Sequence, residues 1–188
     1  MAKEGRSGLI VGELCYVLLC AVLMIACQAH AQTQPASFFF GQTYMKQPTG
    51  IAIHPTTRSL FVADSENSRI LIYASIDTVN STSIFDYYLG QTSNTGIGYA
   101  CGPGSLYHPQ SIFVDSTGRL WVADTFNNRV LWWNSSIAMI SGSSASGVVG
   151  QPSLYECGNS TNLQSMFLPS GVMVYNNVLW VADSQNNR

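Results

Sequence analysis

Charge is the scarcest commodity in this 188-residue chain: Asp, Glu, Lys and Arg make up 10% of it, against about 25% in an ordinary soluble domain. With a formal net charge of -2 there is no basic field to attract phosphates, which argues against nucleic acid as the main partner. Histidine is scarce too, at three residues. No CxxC pair or His/Cys cluster is present, so a structural zinc site has no support and no cofactor is predicted. The sequence holds no Gly-x-Ser-x-Gly elbow, P-loop or paired-carboxylate constellation, so no catalytic residue is assigned. Long apolar runs are also lacking. The longest, Leu14 to Cys27, falls short of the ~20 residues of a spanning helix, and Glu13 blocks its extension.

What is present begins with that run. Lys3 and Arg6 precede it and Ala29-His30-Ala31 follows it, the charge, apolar stretch and small-x-small order of a secretory signal. Residues 1–31 are therefore expected to be a signal peptide cleaved near Ala31, leaving a secreted chain with no membrane association. A membrane anchor and a lipoprotein signal ending at Cys27 are the competing readings. Cys15, Cys20 and Cys27 leave with the leader. Cys101 and Cys157 remain as candidates for one disulfide in an oxidising compartment, and their different places in the repeat leave the pairing open. Asn80, Asn134 and Asn159 begin Asn-x-Ser/Thr sequons, candidate N-glycosylation sites on a eukaryotic secretory route. In a chain this rich in Asn, Ser and Thr they also arise by accident.

The remainder, 32–188, repeats itself. Gly50-Ile51-Ala52-Ile53 leads to Leu60-Phe61-Val62-Ala63-Asp64; Ser111-Ile112-Phe113-Val114 leads to Leu120-Trp121-Val122-Ala123-Asp124; Gly171-Val172-Met173-Val174 leads to Leu179-Trp180-Val181-Ala182-Asp183. A proline precedes each (Pro48, Pro109, Pro169), and the closing Asp residues lie 60 and then 59 positions apart. A Gly-Gln pair recurs at Gly41-Gln42, Gly90-Gln91 and Gly150-Gln151. The repeat units run approximately 43–91, 92–151 and 152–188. In the first, strands a to d are expected at Ile51–Ile53, Leu60–Ala63, Ile70–Tyr73 and roughly Ser83–Leu89. Apolar residues follow one another rather than alternating, so both faces of each sheet are covered. Such sheets, repeated radially, make a propeller.

After strand b come Asp64-Ser65-Glu66-Asn67-Ser68-Arg69, Asp124-Thr125-Phe126-Asn127-Asn128-Arg129 and Asp183-Ser184-Gln185-Asn186-Asn187-Arg188. The pattern of proline, apolar strand and VAD-x-x-N-N-R resembles the NHL repeat, and the Gly-Gln with a long insert resembles its extended variety. Ser68 departs from the pattern. Asp64, Asn67, Arg69, Asp124, Asn127, Asn128, Arg129, Asp183, Asn186, Asn187 and Arg188 are expected to be structural, since Asp can accept backbone N–H bonds, Asn tolerates the left-handed region and Arg can return a bond to a carboxylate.

The resemblance implies an all-β propeller of four-stranded antiparallel blades. The family usually closes with about six, so this chain is read as an incomplete propeller, with about two and a half blades and Ser37 to Gln42 as the end of another strand d. Open blade edges then predict self-association. The function expected is a non-catalytic module that binds a protein or carbohydrate through its loops. The inserts Thr92 to Tyr107 and Pro152 to Phe167 are the places to look, with Tyr99, Tyr107, Tyr155 and Phe167 either contacting a ligand or packing the inserts down. The alternative is a propeller enzyme, a metal-assisted lyase or hydrolase, whose ligands lie in further blades. His54 and His108 occupy different repeat positions and are too few to form such a site.

Overall fold

The computed structural model describes residues 40–41, 43–134, 140–159 and 163–188. The leader assignment, Gln42, and the last two residues of the sequons at Asn134 and Asn159 lie outside them. Two four-stranded antiparallel sheets and one two-stranded sheet follow in chain order. The first contains β1 (Pro48–Ile53), β2 (Leu60–Asp64), β3 (Arg69–Tyr73) and β4 (Tyr87–Leu89). The second contains β5 (Ser111–Val114), β6 (Leu120–Asp124), β7 (Arg129–Trp133) and β8 (Gly147–Val149). The third pairs β9 (Pro169–Tyr175) with β10 (Val178–Asp183). Every sheet is a meander, and β5 lies beside both β1 and β9, so the first strands of successive units line up side by side. This is an incomplete β-propeller.

Successive side chains on a strand point to opposite faces, and here both faces meet a neighbour. Phe61, Ala63, Ile70, Ile72 and Leu89 of the first blade pack on Ile112, Val114, Leu120, Val122, Leu131 and Trp133 of the second. Trp121, Ala123 and Val130 then meet Val172 of the third. The other face of the first blade, Leu60, Val62, Leu71 and Tyr73, is covered by Phe40, Tyr44, Met45, Ile76, Phe85 and Tyr88. Tyr44 fixes that cover by donating its hydroxyl to the Ser83 carbonyl (2.8 Å), which leaves Tyr73 to donate to Tyr44 (2.7 Å). On the far face of β9–β10, Met173, Tyr175, Val178 and Trp180 are exposed among the described residues, Trp180 by 58%.

Two boundaries differ from expectation. Strand d spans Tyr87–Leu89 rather than Ser83–Leu89, because Asn80–Ser83 close a turn (Ser83 N–H to Asn80 O, 3.0 Å) and the Asp86 side chain accepts the Ala74 N–H at 2.7 Å. Strand a begins at Pro48, where a proline is tolerated as the first residue of a strand. Gly50 lets the neighbouring blade approach closely there. A Cβ would stand 3.2 Å from the Gln110 carbonyl oxygen and 3.3 Å from the Ile112 nitrogen. In the third unit Asn176 and Asn177, both at positive φ, join the directly paired Tyr175 and Val178 in the two-residue turn that suits strand twist.

A candidate ligand-binding face

The site is built on the turns between β2 and β3, β6 and β7, and after β10. Each is one turn of 3-10 helix closed by a left-handed residue: Ser68 (φ 52°), Asn128 (54°) and Asn187 (55°). In all three the Arg Nε donates to the Asp Oδ2, at 2.7 Å for Arg69–Asp64, 2.8 Å for Arg129–Asp124 and 2.9 Å for Arg188–Asp183. Asn67, Asn127 and Asn186 donate to the same carboxylates. The other oxygen, Oδ1, accepts a backbone N–H from just before the repeat proline: Lys46 (2.6 Å), Tyr107 (2.7 Å) and Phe167 (2.7 Å). The carboxylate thus joins the turn to the chain entering strand a.

The rest of each guanidinium reaches the inserts. Arg129 is fully buried and donates to the carbonyls of Leu154 (2.7 Å), Gly102 (2.9 Å) and Ser105 (3.1 Å); Arg69 donates to those of Asn94 and Tyr44, each at 2.8 Å. The recurring Gly-Gln performs a second anchoring. Gln91 Nε2 donates to Ser68 O and Gly98 O, and Gln151 Nε2 to Asn128 O and Gly158 O, so each glutamine ties its own insert to the preceding turn. The glycine is needed because φ is +87° at Gly90 and +88° at Gly150, and a Cβ would stand 2.5 Å from Leu106 or 2.7 Å from Met166. A Cys101–Cys157 disulfide links the two inserts covalently.

Each proline follows a residue held left-handed: Gln47 (φ 52°), His108 (48°) and Leu168 (50°). Residues before proline resist helical conformations, so the corner needs support from the neighbouring blade. Asn128 Oδ1 accepts the Leu168 N–H (3.0 Å) while its Nδ2 donates to Cys157 O (3.1 Å). Ser68, in the same place one blade earlier, accepts the His108 N–H at 3.4 Å.

On this repeated framework two facing positions per unit, one in the turn and one before the proline, differ in chemistry. The residue after the turn's first position donates its N–H to the carbonyl of the residue two before the proline: Glu66 to Lys46, Phe126 to Tyr107, Gln185 to Phe167. In the first unit these are an ion pair, Lys46 Nζ to Glu66 Oε2 at 2.8 Å, which holds the Glu66 carboxyl below its ordinary range and the Lys46 ammonium above its own. In the second they form an aromatic group. Tyr99 stacks on Tyr107 at 4.2 Å between centroids, Tyr107 meets Phe126 edge-on at 5.1 Å, and His108 stacks on Phe126 at 4.8 Å. Tyr99 is 66% and Phe126 41% exposed, while Tyr107 and His108 are half-buried. Tyr155, on the next insert, is 74% exposed.

The expected site residues fall into two sets. The Asp, Asn and Arg residues are brought together inside each blade, with Asn187 at the last left-handed corner. Tyr99 and Tyr107 are brought together at the surface, where Tyr155 and half-buried Phe167 also belong to the insert face. Phe126 and His108 complete the aromatic group and were not foreseen as ligand contacts; comparing the position before each proline and the second residue after each VAD across units would have found them. His54 lies apart, in the turn after β1, its Nδ1 accepting the Thr56 and Thr57 N–H groups. Among the described residues no group of three or more His, Cys, Asp or Glu is placed to hold a metal ion. Asn80, Asn134 and Asn159 are exposed.

Meandering four-stranded blades, locked by a buried Asp–Asn–Arg cluster and carrying long inserts at one end, define the chain as a repeat propeller protein. The NHL repeat family model matches residues 45–73 and 106–133, the first and second of these Asp–Asn–Arg turns with the strands around them. Over 152 residues the chain is 28% identical to human NHL repeat-containing protein 2, covering 74% of this chain and 19% of that protein's length. Among solved structures it is similar to a luciferin-regenerating enzyme (TM-score 0.46, 15% identity, 73% of this chain and 37% of the other). A gluconolactonase from Xanthomonas campestris is similar at TM-score 0.42, with 15% identity over 73% of this chain and 35% of the other.

Proposed function

We propose that the chain is part of a secreted, non-catalytic binding module that takes a protein or carbohydrate ligand on its insert face. The observation that carries this reading is the contrast within the repeat. The turn and its Asp–Asn–Arg cluster recur in each unit, whereas the facing positions change from an ion pair (Lys46 and Glu66) to an aromatic pair (Tyr107 and Phe126) to an aromatic beside an amide (Phe167 and Gln185). Rigid elements presenting variable side chains are how repeat scaffolds build binding surfaces. Tyr99, Tyr107 and Phe126 offer flat apolar area with little side-chain entropy to lose, suited to a sugar face or a protein side chain.

The test is retention of extracellular proteins and of immobilised glycans by the secreted chain, compared with Tyr99→Ala/Phe126→Ala. Both residues are exposed, so the double variant should fold. Ligand retained by the wild type should fall at least tenfold in the double variant and stay unchanged in Arg58→Ala, on the opposite face. Equal retention by both variants would remove the aromatic group from the site.

A further inference from the structure

We propose that Asn80 is an N-glycan acceptor, on the face opposite the inserts. The sequon Asn80-Ser81-Thr82 lies in the connection between β3 and β4, and all three residues are exposed. This connection and the turns after β1 and β5 sit at the far ends of the strands from the inserts. The Asn80 N–H donates to Ser83 Oγ (2.8 Å), and the Ser83 N–H returns to Asn80 O (3.0 Å). Asn80 Oδ1 accepts both the Thr82 N–H (2.9 Å) and the Thr82 hydroxyl (2.7 Å). The turn therefore uses the oxygen of the side-chain amide. Its nitrogen makes one long bond, 3.3 Å to Thr78 O, and glycosylation leaves that nitrogen one hydrogen. The modified residue can keep every contact that shapes the turn.

The reaction is glycosyl transfer from a lipid-linked oligosaccharide. Asn80 Nδ2 forms a bond to the anomeric carbon, the bond from that carbon to the lipid pyrophosphate breaks, and the amide proton leaves with the departing lipid pyrophosphate or an enzyme base. No oxidation is involved. The step occurs in a secretory lumen, so the proposal rests on the leader reading. It does not depend on the ligand.

The test expresses the full chain with its own leader in a eukaryotic secretory host and maps the medium protein by mass spectrometry before and after N-glycosidase treatment. The expected result is a glycan on the Asn80 peptide, with Asn80 converted to Asp on its release. That glycan should be lost in Thr82→Ala. Asn80→Asp keeps the Oδ1 acceptor and removes the nitrogen, so it should be secreted normally without the glycan, separating modification from folding. Secreted protein with unmodified Asn80, a chain that never enters the lumen, or glycan only at Asn134 or Asn159 would each overturn the assignment. Failure of the ligand reading would show instead as unchanged retention in the Tyr99/Phe126 variant, whatever the occupancy of Asn80.

Discussion

Replacing Arg129 by Met tests whether the buried cluster holds the inserts on the blades. The guanidinium is fully buried and makes four hydrogen bonds, one to Asp124 and three to carbonyls of both inserts. Methionine fills much of the space and supplies none of them. Asp124 would keep only Asn127 and the Tyr107 N–H as partners. Burial already pushes the Asp124 carboxyl up against the pull of Arg129, and loss of the guanidinium removes the main charge that opposes that rise. Removing one member of a buried ion pair costs about 3–5 kcal/mol, a large part of the 5–15 kcal/mol that typically holds a domain together. The Arg188 side chain makes the same ion pair while 36% exposed, and Arg188→Met should cost about 1 kcal/mol or less. Urea unfolding followed by tryptophan fluorescence measures both. Asp124→Asn/Arg129→Met should be less destabilised than the sum of its single changes, because each single change strands the other partner. A loss under about 1 kcal/mol for Arg129→Met, or equal losses at Arg129 and Arg188, would refute the reasoning, since burial is what separates the two sites.

Two further outcomes follow from the framework. Ser68→Asn should stabilise by about 1 kcal/mol, because Asn tolerates the left-handed corner better and can copy the interblade bonds of Asn128; an unchanged urea midpoint would count against that account. Asp115 gives a pH dependence: burial pushes its carboxyl up, but the Thr117 hydroxyl, the Trp121 indole N–H and the backbone N–H groups of Arg119 and Thr117 together outweigh it and hold it below the ordinary range. Its stabilisation is therefore complete above the unfolded value of about 4 and is lost as pH falls through the lower folded value. Asp115→Asn should lower stability at neutral pH and flatten the acid limb of a stability profile, and a limb as steep as the wild type's would show that other carboxylates set it.

Much of the fold was legible because the repeat is written several times. The central strands, the Asp–Asn–Arg turns and the Gly-Gln register all come from short-range patterns recurring in phase. Where unit 1 has Ser68 in place of Asn, the corner keeps its conformation but weakens its link to the next blade, a difference the spelling marked but did not explain. The start of strand d was misplaced because apolar residues from Ile84 onward look strand-like, while the turn at Asn80–Ser83 depends on side-chain bonds within the connection.

By itself the sequence determined the blade: its central strands, the turn that follows each VAD, and the Asp, Asn and Arg that recur there. These are local consequences of strand period and turn chemistry. Only the tertiary structure decided what the blades hold between them. The carbonyls on Arg129, the left-handed residues before each proline, the pairing of Cys101 with Cys157 and the meeting of Tyr99, Tyr107, His108 and Phe126 all join segments far apart along the chain or in neighbouring blades. No periodicity records them, because they arise only when the inserts fold back over the turns.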